Sequence, residues 1–352
     1  MSDISQQLRE QILQARAGAT KLDIRGGASK RFMGREPQGE ALEVGRHRGI
    51  VSYEPVELVL TARAGTPLEE IVAALDEQGQ MLSFEPPCFG GNATLGGTLA
   101  CNQSGPGRPW GGSVRDQVLG IRLINGLGEE LRFGGQVMKN VAGYDVSRLQ
   151  AGAMGTLGLI TEVSLKVLPK PGETLTLVTE TSMAEAVRLM NERAGQPKPL
   201  SAACWHDGRL YLRLSGARSA VDATVRQWGG ELLENDVAFW RELRDQRLGF
   251  FDGDAPLWRF SLRSSAEPLP LEGDWLIDWG GAQRWYRGDA DRARLDALAA
   301  EAGGQVSLFR GGDRSGEVMP AQAPALRLIQ QRLKRAFDPD GLFNPGRLYS
   351  WM

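Results

Sequence analysis

The sequence predicts an α+β fold of two unequal parts, and three observations predict it. Residues 86–171 carry 17 of the 45 glycines, set between strand-like runs. After residue 171 the order becomes strand, helix, strand, strand, helix, strand, which is the pattern of helices laid on one face of an antiparallel sheet. Between the two regions Pro169-Lys170-Pro171-Gly172 interrupts every periodicity. The boundaries drawn from this are a glycine-rich domain at 1–170, a cap domain at 171–320, and a C-terminal helix and tail at 321–352. A chain of 352 residues is long enough to fill two cores.

The elements follow in order. MSDISQQLREQILQARAG is an amphipathic helix with Ile4, Leu8 and Ile12 on one side. KLDIRGGASK is a short strand entering a loop, and GIVSYEPVELVLTARAG holds two more strands. Thr66-Pro67-Leu68-Glu69 predicts a helix start with Thr66 as N-cap, and Gly79 predicts its end. MLSFE is the next expected strand. VLGIRLING and EELRFGG form a hairpin around Asn125-Gly126-Leu127-Gly128, and GLITEVSLKVLP is the last strand of this part. In the cap, TLTLVTE precedes a helix opened by Ser182 and Glu185 as a capping box. SAACWHD, RLYLRLSG and ELLEN are strands around the helix ARSAVDATVRQWGG. PLWRFSLR, DWLIDWG, QRWYRG and QVSLFRG continue the sheet with the helix DADRARLDALAAEAG. The tryptophans there, Trp275, Trp279 and Trp285 among them, are expected to fill the core. APALRLIQQRLKRAF is an amphipathic helix, and DPDGLFNPGRL is a turn-rich tail.

Composition narrows the function classes. Lys and Arg total 41 against 43 Asp and Glu, so no basic field exists to attract nucleic acid. No apolar run reaches the length of a membrane span, and the N-terminus lacks an export pattern. The chain is therefore expected in the cytoplasm, meeting the inner membrane only peripherally through a complex. Cys88, Cys101 and Cys204 give neither a disulfide framework nor the four ligands an iron–sulfur cluster generally requires. Only two histidines, His47 and His206, are present, so no metal site is expected.

Glycine loops beside strands let backbone N–H groups approach a phosphorylated ligand. The loop Arg25-Gly26-Gly27-Ala28-Ser29-Lys30 offers such donors, with Arg25 or Lys30 adding charge. Gly96, Gly97 and Thr98 at the start of a short helix offer a second set. No G-x-G-x-x-G follows the first strand, which argues against a dinucleotide-binding Rossmann unit. These segments, with Pro86-Pro87, Gly90-Gly91, Gly112-Ser113-Val114-Arg115-Asp116, 139–145, 152–158 and 343–347, agree in order with a known pattern. The chain resembles flavoproteins of the vanillyl-alcohol oxidase and p-cresol methylhydroxylase type over most of residues 1–170 and the tail.

That resemblance implies a PCMH-type FAD-binding domain with an α+β cap carrying an antiparallel sheet. It implies FAD contacts from Arg25, Gly26, Gly27, Ala28, Ser29, Lys30, Pro86, Gly90, Gly96, Gly97, Thr98, Ser113, Val114, Arg115, Asp116, Gly152, Gly155, Thr156, Gly158, Ile160 and Asn344. Relatives that tether flavin do so through a histidine in the first loop. Ser29 occupies that neighbourhood here, so noncovalent FAD is expected. The likeness is narrowest to small subunits of bacterial complexes that oxidise glycolate to glyoxylate. It implies a larger FAD-binding subunit, an iron–sulfur subunit and a 2-hydroxy acid as partners.

Oxidising a 2-hydroxy acid requires a carboxylate clamp, a proton acceptor and a positioned flavin. Arg310, Arg314 and Arg347 are candidate clamps, and His206 is the candidate base. Tyr144 is a candidate flavin neighbour or a buried structural tyrosine. The metal-binding His-x-Gly-Asp-Gly-Asn stretch of related dehydrogenases has no match in residues 171–352. The expectation is thus a flavin-bearing subunit that supports electron transfer. A self-sufficient oxidoreductase acting on another hydroxylated metabolite, and a non-catalytic scaffold, stay open.

Overall fold

The computed structural model describes residues 2–135 and 145–352. Its first sheet is antiparallel and five-stranded, in the order Ile50–Glu54, Val59–Arg63, Leu159–Lys166, Val118–Ile124, Glu130–Gly134. The central strand Leu159–Lys166 is buried at most positions on both faces, as a strand sandwiched between layers must be. Leu8 and Ile12 of the first helix, Leu68, Ile71 and Leu75 of the second, and Leu95 and Leu99 of the third share one core with it. A separate parallel pair joins Leu22–Arg25 to Glu40–Glu43, and the tail adds a parallel bridge from Leu22 to Phe343.

The second sheet has eight antiparallel strands, all between residues 173 and 310. Period-two alternation splits its side chains between two cores. Ala203 and Leu212 face a layer containing Val187 and Val221 of the helices Met183–Ala194 and Arg218–Trp228. Cys204 and Tyr211 point the other way, into a cluster that also holds Met33 and Met154, with Phe32 and Phe89 against it. The second sheet therefore closes over loops of the first part. Trp275 and Trp285 are buried as expected, whereas Trp279 spans the seam, its indole donating to the Gly105 carbonyl at 2.9 Å.

Two local expectations are corrected, and two elements were missed. Thr66 does not cap a helix: its hydroxyl is spent on the Gly49 backbone, and the helix Leu68–Asp76 starts after Pro67. MLSFE is not a strand; only Gln80–Met81 pairs, with Leu168–Pro169, and the chain then turns. Glu40–Glu43 and the helix Asp236–Arg244 escaped the sequence reading, the first because it is four residues long with a single buried side chain.

Candidate functional site

A cleft opens where the Leu22–Arg25 strand ends, between the 25–31 loop, the helix Leu95–Cys101, the 154–160 turn and the tail. The sequence folds this way because each segment is tied to another. Asn344 accepts from the Ile24 amide at 2.7 Å and donates to the Met154 carbonyl at 2.6 Å, so one side chain joins three of them. Its own left-handed backbone, φ 42°, is one that Asn tolerates better than most side chains. Behind it Lys334 donates to the carbonyls of Thr156 and Phe343 at 2.7 and 2.9 Å and to Asp338 at 2.7 Å. Asp338 in turn accepts from the amides of Leu342 and Phe343.

The loop after the first strand supplies the donors. The N–H groups of Gly26, Gly27, Ala28, Ser29 and Lys30 have no acceptor among the described residues. Ala28 adopts a left-handed backbone, φ 55°, the kind of bend that turns successive amides to one side. Glycine is required at position 27, where a Cβ would lie 1.4 Å from the Asn92 carbonyl oxygen. The expected second donor set is corrected. Gly96 donates to the Ala64 carbonyl at 2.8 Å, Thr98 to Thr94 at 2.9 Å, and Gly97 to the Thr94 hydroxyl at 3.4 Å. Gly96 is there for close approach, since a Cβ would meet Ala64 at 2.6 Å.

Charge in the cleft is unevenly spent. Asp23, 5% exposed, takes both Arg25 at 2.8 Å and Arg31 at 2.6 Å. Arg347 donates to the backbone carbonyls of Arg31, at 2.8 Å, and of Arg35, and burial pulls its pKa down. Lys30 is buried, and desolvation lowers its pKa. Burial pushes the neighbouring Cys88 and Cys101 thiols up, which keeps them neutral.

Of the predicted cofactor residues, Arg25 through Lys30, Gly96, Gly97, Gly155, Gly158, Ile160 and Asn344 line this cleft together. The rest lie outside its lining. Thr98 and Val114 are fully enclosed, and Ser113 and Asp116 form a capping box, the hydroxyl 2.7 Å from the carboxylate. Arg115 is exposed. Gly152 donates to Leu99, and the Thr156 hydroxyl to Ala153. Pro86 is buried and Gly90 turns the adjoining loop with φ 84°. Tyr144 and residues 139–143 lie outside the described residues.

The candidate clamps and base separate in the same way. Arg310 is spent on Gln246 at 2.5 Å and stacks over Phe32, 4.6 Å to the centroid. Arg314 donates to the Gly34 carbonyl at 2.8 Å, and burial pushes it down to about 10. Only Arg347 of the three lines the cleft. His206 lines a different depression, with Phe250 and Asp252, and its buried Nδ1 has no partner among the described residues. Among the described residues no three His, Cys, Asp or Glu side chains converge as metal ligands. The sequence reading had Asp338 only as the start of the tail and gave Lys334 no role; their i, i+4 spacing was visible, their burial was not.

The arrangement matches known proteins. A family described as FAD binding domain covers residues 5–134. Glycolate oxidase subunit GlcE of Escherichia coli (strain K12) is 50% identical over 348 residues, 99% of this chain and 98% of that protein. Glycolate oxidase subunit GlcD of Bacillus subtilis (strain 168) is 33% identical over 129 residues, 37% of this chain and 27% of that one. A solved structure of alkyldihydroxyacetonephosphate synthase superposes with a TM-score of 0.68 at 16% identity, over 97% of this chain and 75% of that one, a likeness of fold.

Proposed function

The chain belongs to the family of glycolate oxidase subunit GlcE and carries an FAD-binding domain, and from that premise we propose that it is the smaller flavin-bearing subunit of a complex that oxidises glycolate to glyoxylate. The observation that carries this reading is the run of five amides, Gly26 to Lys30, that have no acceptor among the described residues and line the cleft. Such a run suits a diphosphate, whose charge requires several N–H donors. The remaining cleft residues fit the rest of the cofactor: Val44, Ala64, Leu159 and Ile160 give an apolar wall, and Met33, Ala100 and Met154 another. When bound, FAD would relay electrons released by the alcohol oxidation.

The chain's own contribution is to bind, orient and enclose. The second sheet shields the cleft through Phe32, Phe89, Met33 and Met154. Attachment is noncovalent in this reading, because no histidine lines the cleft and the nearby thiols are neutral. Arg310 and Arg314 are already committed to Gln246 and to backbone. That supports a substrate site elsewhere in the complex, with a larger FAD-binding subunit and an iron–sulfur subunit as partners. No helix among the described residues is long and apolar enough to cross a membrane. A cytoplasmic complex, peripheral at the inner membrane, is consistent with that.

The test is to purify the chain alone and with its co-purifying subunits, then measure flavin, iron and glycolate oxidation. The expected result is one FAD per chain, fully released by acid, with glycolate turnover only in the complex. A colourless chain that takes up no FAD would overturn the flavin reading. Full glycolate turnover by the chain alone would overturn the subunit reading.

A further inference from the structure

The helix Pro324–Phe337 carries more apolar surface than its own domain covers. Leu326 is 51% exposed, Leu328 45% and Ile329 52%, and every residue from 324 to 329 is exposed. Lys334 is its one buried residue. The last turn thus belongs to the back of the cleft, whereas the first two turns are left to solvent.

The charge of this segment is one-sided. The chain has 43 Asp and Glu, yet none falls between Val318 and Phe337. Arg327, Arg332 and Arg335 are all exposed. Arg327 lies over the Trp351 ring at 5.1 Å and Arg335 donates to the Gln331 carbonyl at 3.4 Å, while the helix's one ion pair among the described residues is Lys334 with Asp338. The chain end adds an aromatic shelf: Trp351 stacks on Tyr349 at 4.8 Å, and Gln322 donates to the Tyr349 hydroxyl at 2.7 Å. Arginine, tyrosine and tryptophan without carboxylates is the composition of a protein interface core.

Geometry selects the occupant. Leu326, Ile329 and Leu333 stand at i, i+3 and i+7, the anchor spacing of a helix laid in a groove. At 3.6 residues per turn, Leu326 and Leu328 project about 200° apart. A flat bilayer cannot cover both, but a groove can. A second copy meeting this helix about a two-fold axis would set arginine against arginine. We propose that the exposed turns of Pro324–Phe337 dock into an apolar groove with an acidic rim on the larger FAD-binding subunit. The inference rests on the complex-subunit reading. In that reading the larger subunit releases the electrons that this chain's flavin relays, so the two chains must touch. Through Lys334 the docked helix also holds the Thr156 and Phe343 carbonyls behind the cleft.

The test uses the full chain co-expressed with a tagged larger subunit, and separately with a tagged iron–sulfur subunit. Leu326→Ser with Ile329→Ser, and Arg327→Glu with Arg332→Glu, should each lower recovery with the larger subunit at least tenfold. Melting temperature and FAD content of the isolated chain should stay at the wild-type values. Arg327→Lys with Arg332→Lys should keep most of the binding. In the wild type, hydrogen exchange of residues 325–333 should slow at least tenfold on assembly, a readout that needs no variant. Undiminished recovery with the larger subunit, or unchanged exchange, would overturn the proposal and leave the subunit reading intact. So would variants that lose only the iron–sulfur subunit, only self-association, or only binding to phosphatidylglycerol vesicles. A wild-type chain that binds neither subunit would instead overturn the subunit reading and the inference with it.

Discussion

Arg284 in the eight-stranded sheet and Lys30 in the cleft are both buried cations, yet the chain treats them in opposite ways. Arg284 is fully enclosed with each guanidinium nitrogen bonded, to the carbonyls of Gly281 at 3.1 Å, Glu267 at 2.8 Å and Ala266. Arg287, three residues further along the same strand, donates to the carbonyls of Asp252, Gly253 and Ala255, while its Nε is buried with no partner among the described residues. Those side chains staple irregular loops to a sheet. Among the described residues the Lys30 ammonium donates only to the neighbouring Ser29 hydroxyl, and the amides before it have no acceptor. Burial of charge alone thus says little about function; whether its hydrogen-bonding capacity is used up says a great deal. The comparison predicts that variants in the sheet change stability alone, whereas variants around the cleft change stability and FAD affinity together.

The largest effect is expected at the back of the cleft. Lys334→Met leaves Asp338 buried and unpaired, a loss of about 3–5 kcal/mol in urea unfolding. FAD affinity should fall too, because Thr156 and Phe343 lose their anchor. Arg284→Met should cost about 2–3 kcal/mol by orphaning buried carbonyls, with FAD affinity unchanged once the protein is folded. A parallel fall in affinity would erase the distinction between the two regions.

Asp278 sharpens it through pH. Burial raises this carboxyl from the ordinary 3.8 to about 7, opposed in part by the Trp279 amide. The folded state therefore binds a proton more tightly than the unfolded one. Its contribution to stability is complete below pH 3.8 and is lost as pH rises through 7. Asp278→Asn should flatten the stability profile between those values without moving FAD affinity. Asn344→Ala removes the bonds to Ile24 and Met154, at about 1–2 kcal/mol, and should weaken FAD at least fivefold by equilibrium dialysis. Arg25→Gln is the smallest: its side chain is about a third exposed and paired with Asp23 and Glu43, so less than about 1 kcal/mol is expected. A larger loss of FAD affinity there than in Asn344→Ala would reverse that order.

Much of the fold was legible, because its strands alternate cleanly and its turns are glycine-marked. The hairpin at Asn125–Gly128, the Ser182 cap and the succession of strands and helices at the start of the cap follow from local chemistry. The family pattern also located the cleft loop and the tail. What stayed hidden depends on partners distant in sequence. Thr66 looks like a cap until Gly49 claims its hydroxyl, and the start of the Leu95–Cys101 helix looks like a donor set until Ala64 and Thr94 claim its amides. Neither commitment has a local signature. The same holds for Arg310, Arg314 and His206, whose residue types suited catalysis but whose surroundings use them differently or set them apart.

The bond between Ile24 and Asn344 crosses 320 positions of sequence. At ribosomal rates of roughly 5–20 residues per second, the first strand and its loop would wait on the order of 16–64 s for the segment that completes the cleft. Flavin capture is then a late event that monitors synthesis of the whole chain: a ribosome that stalls before residue 344 releases a product able to fold much of its first sheet but unable to keep its cofactor. Bound flavin would report that translation reached the tail.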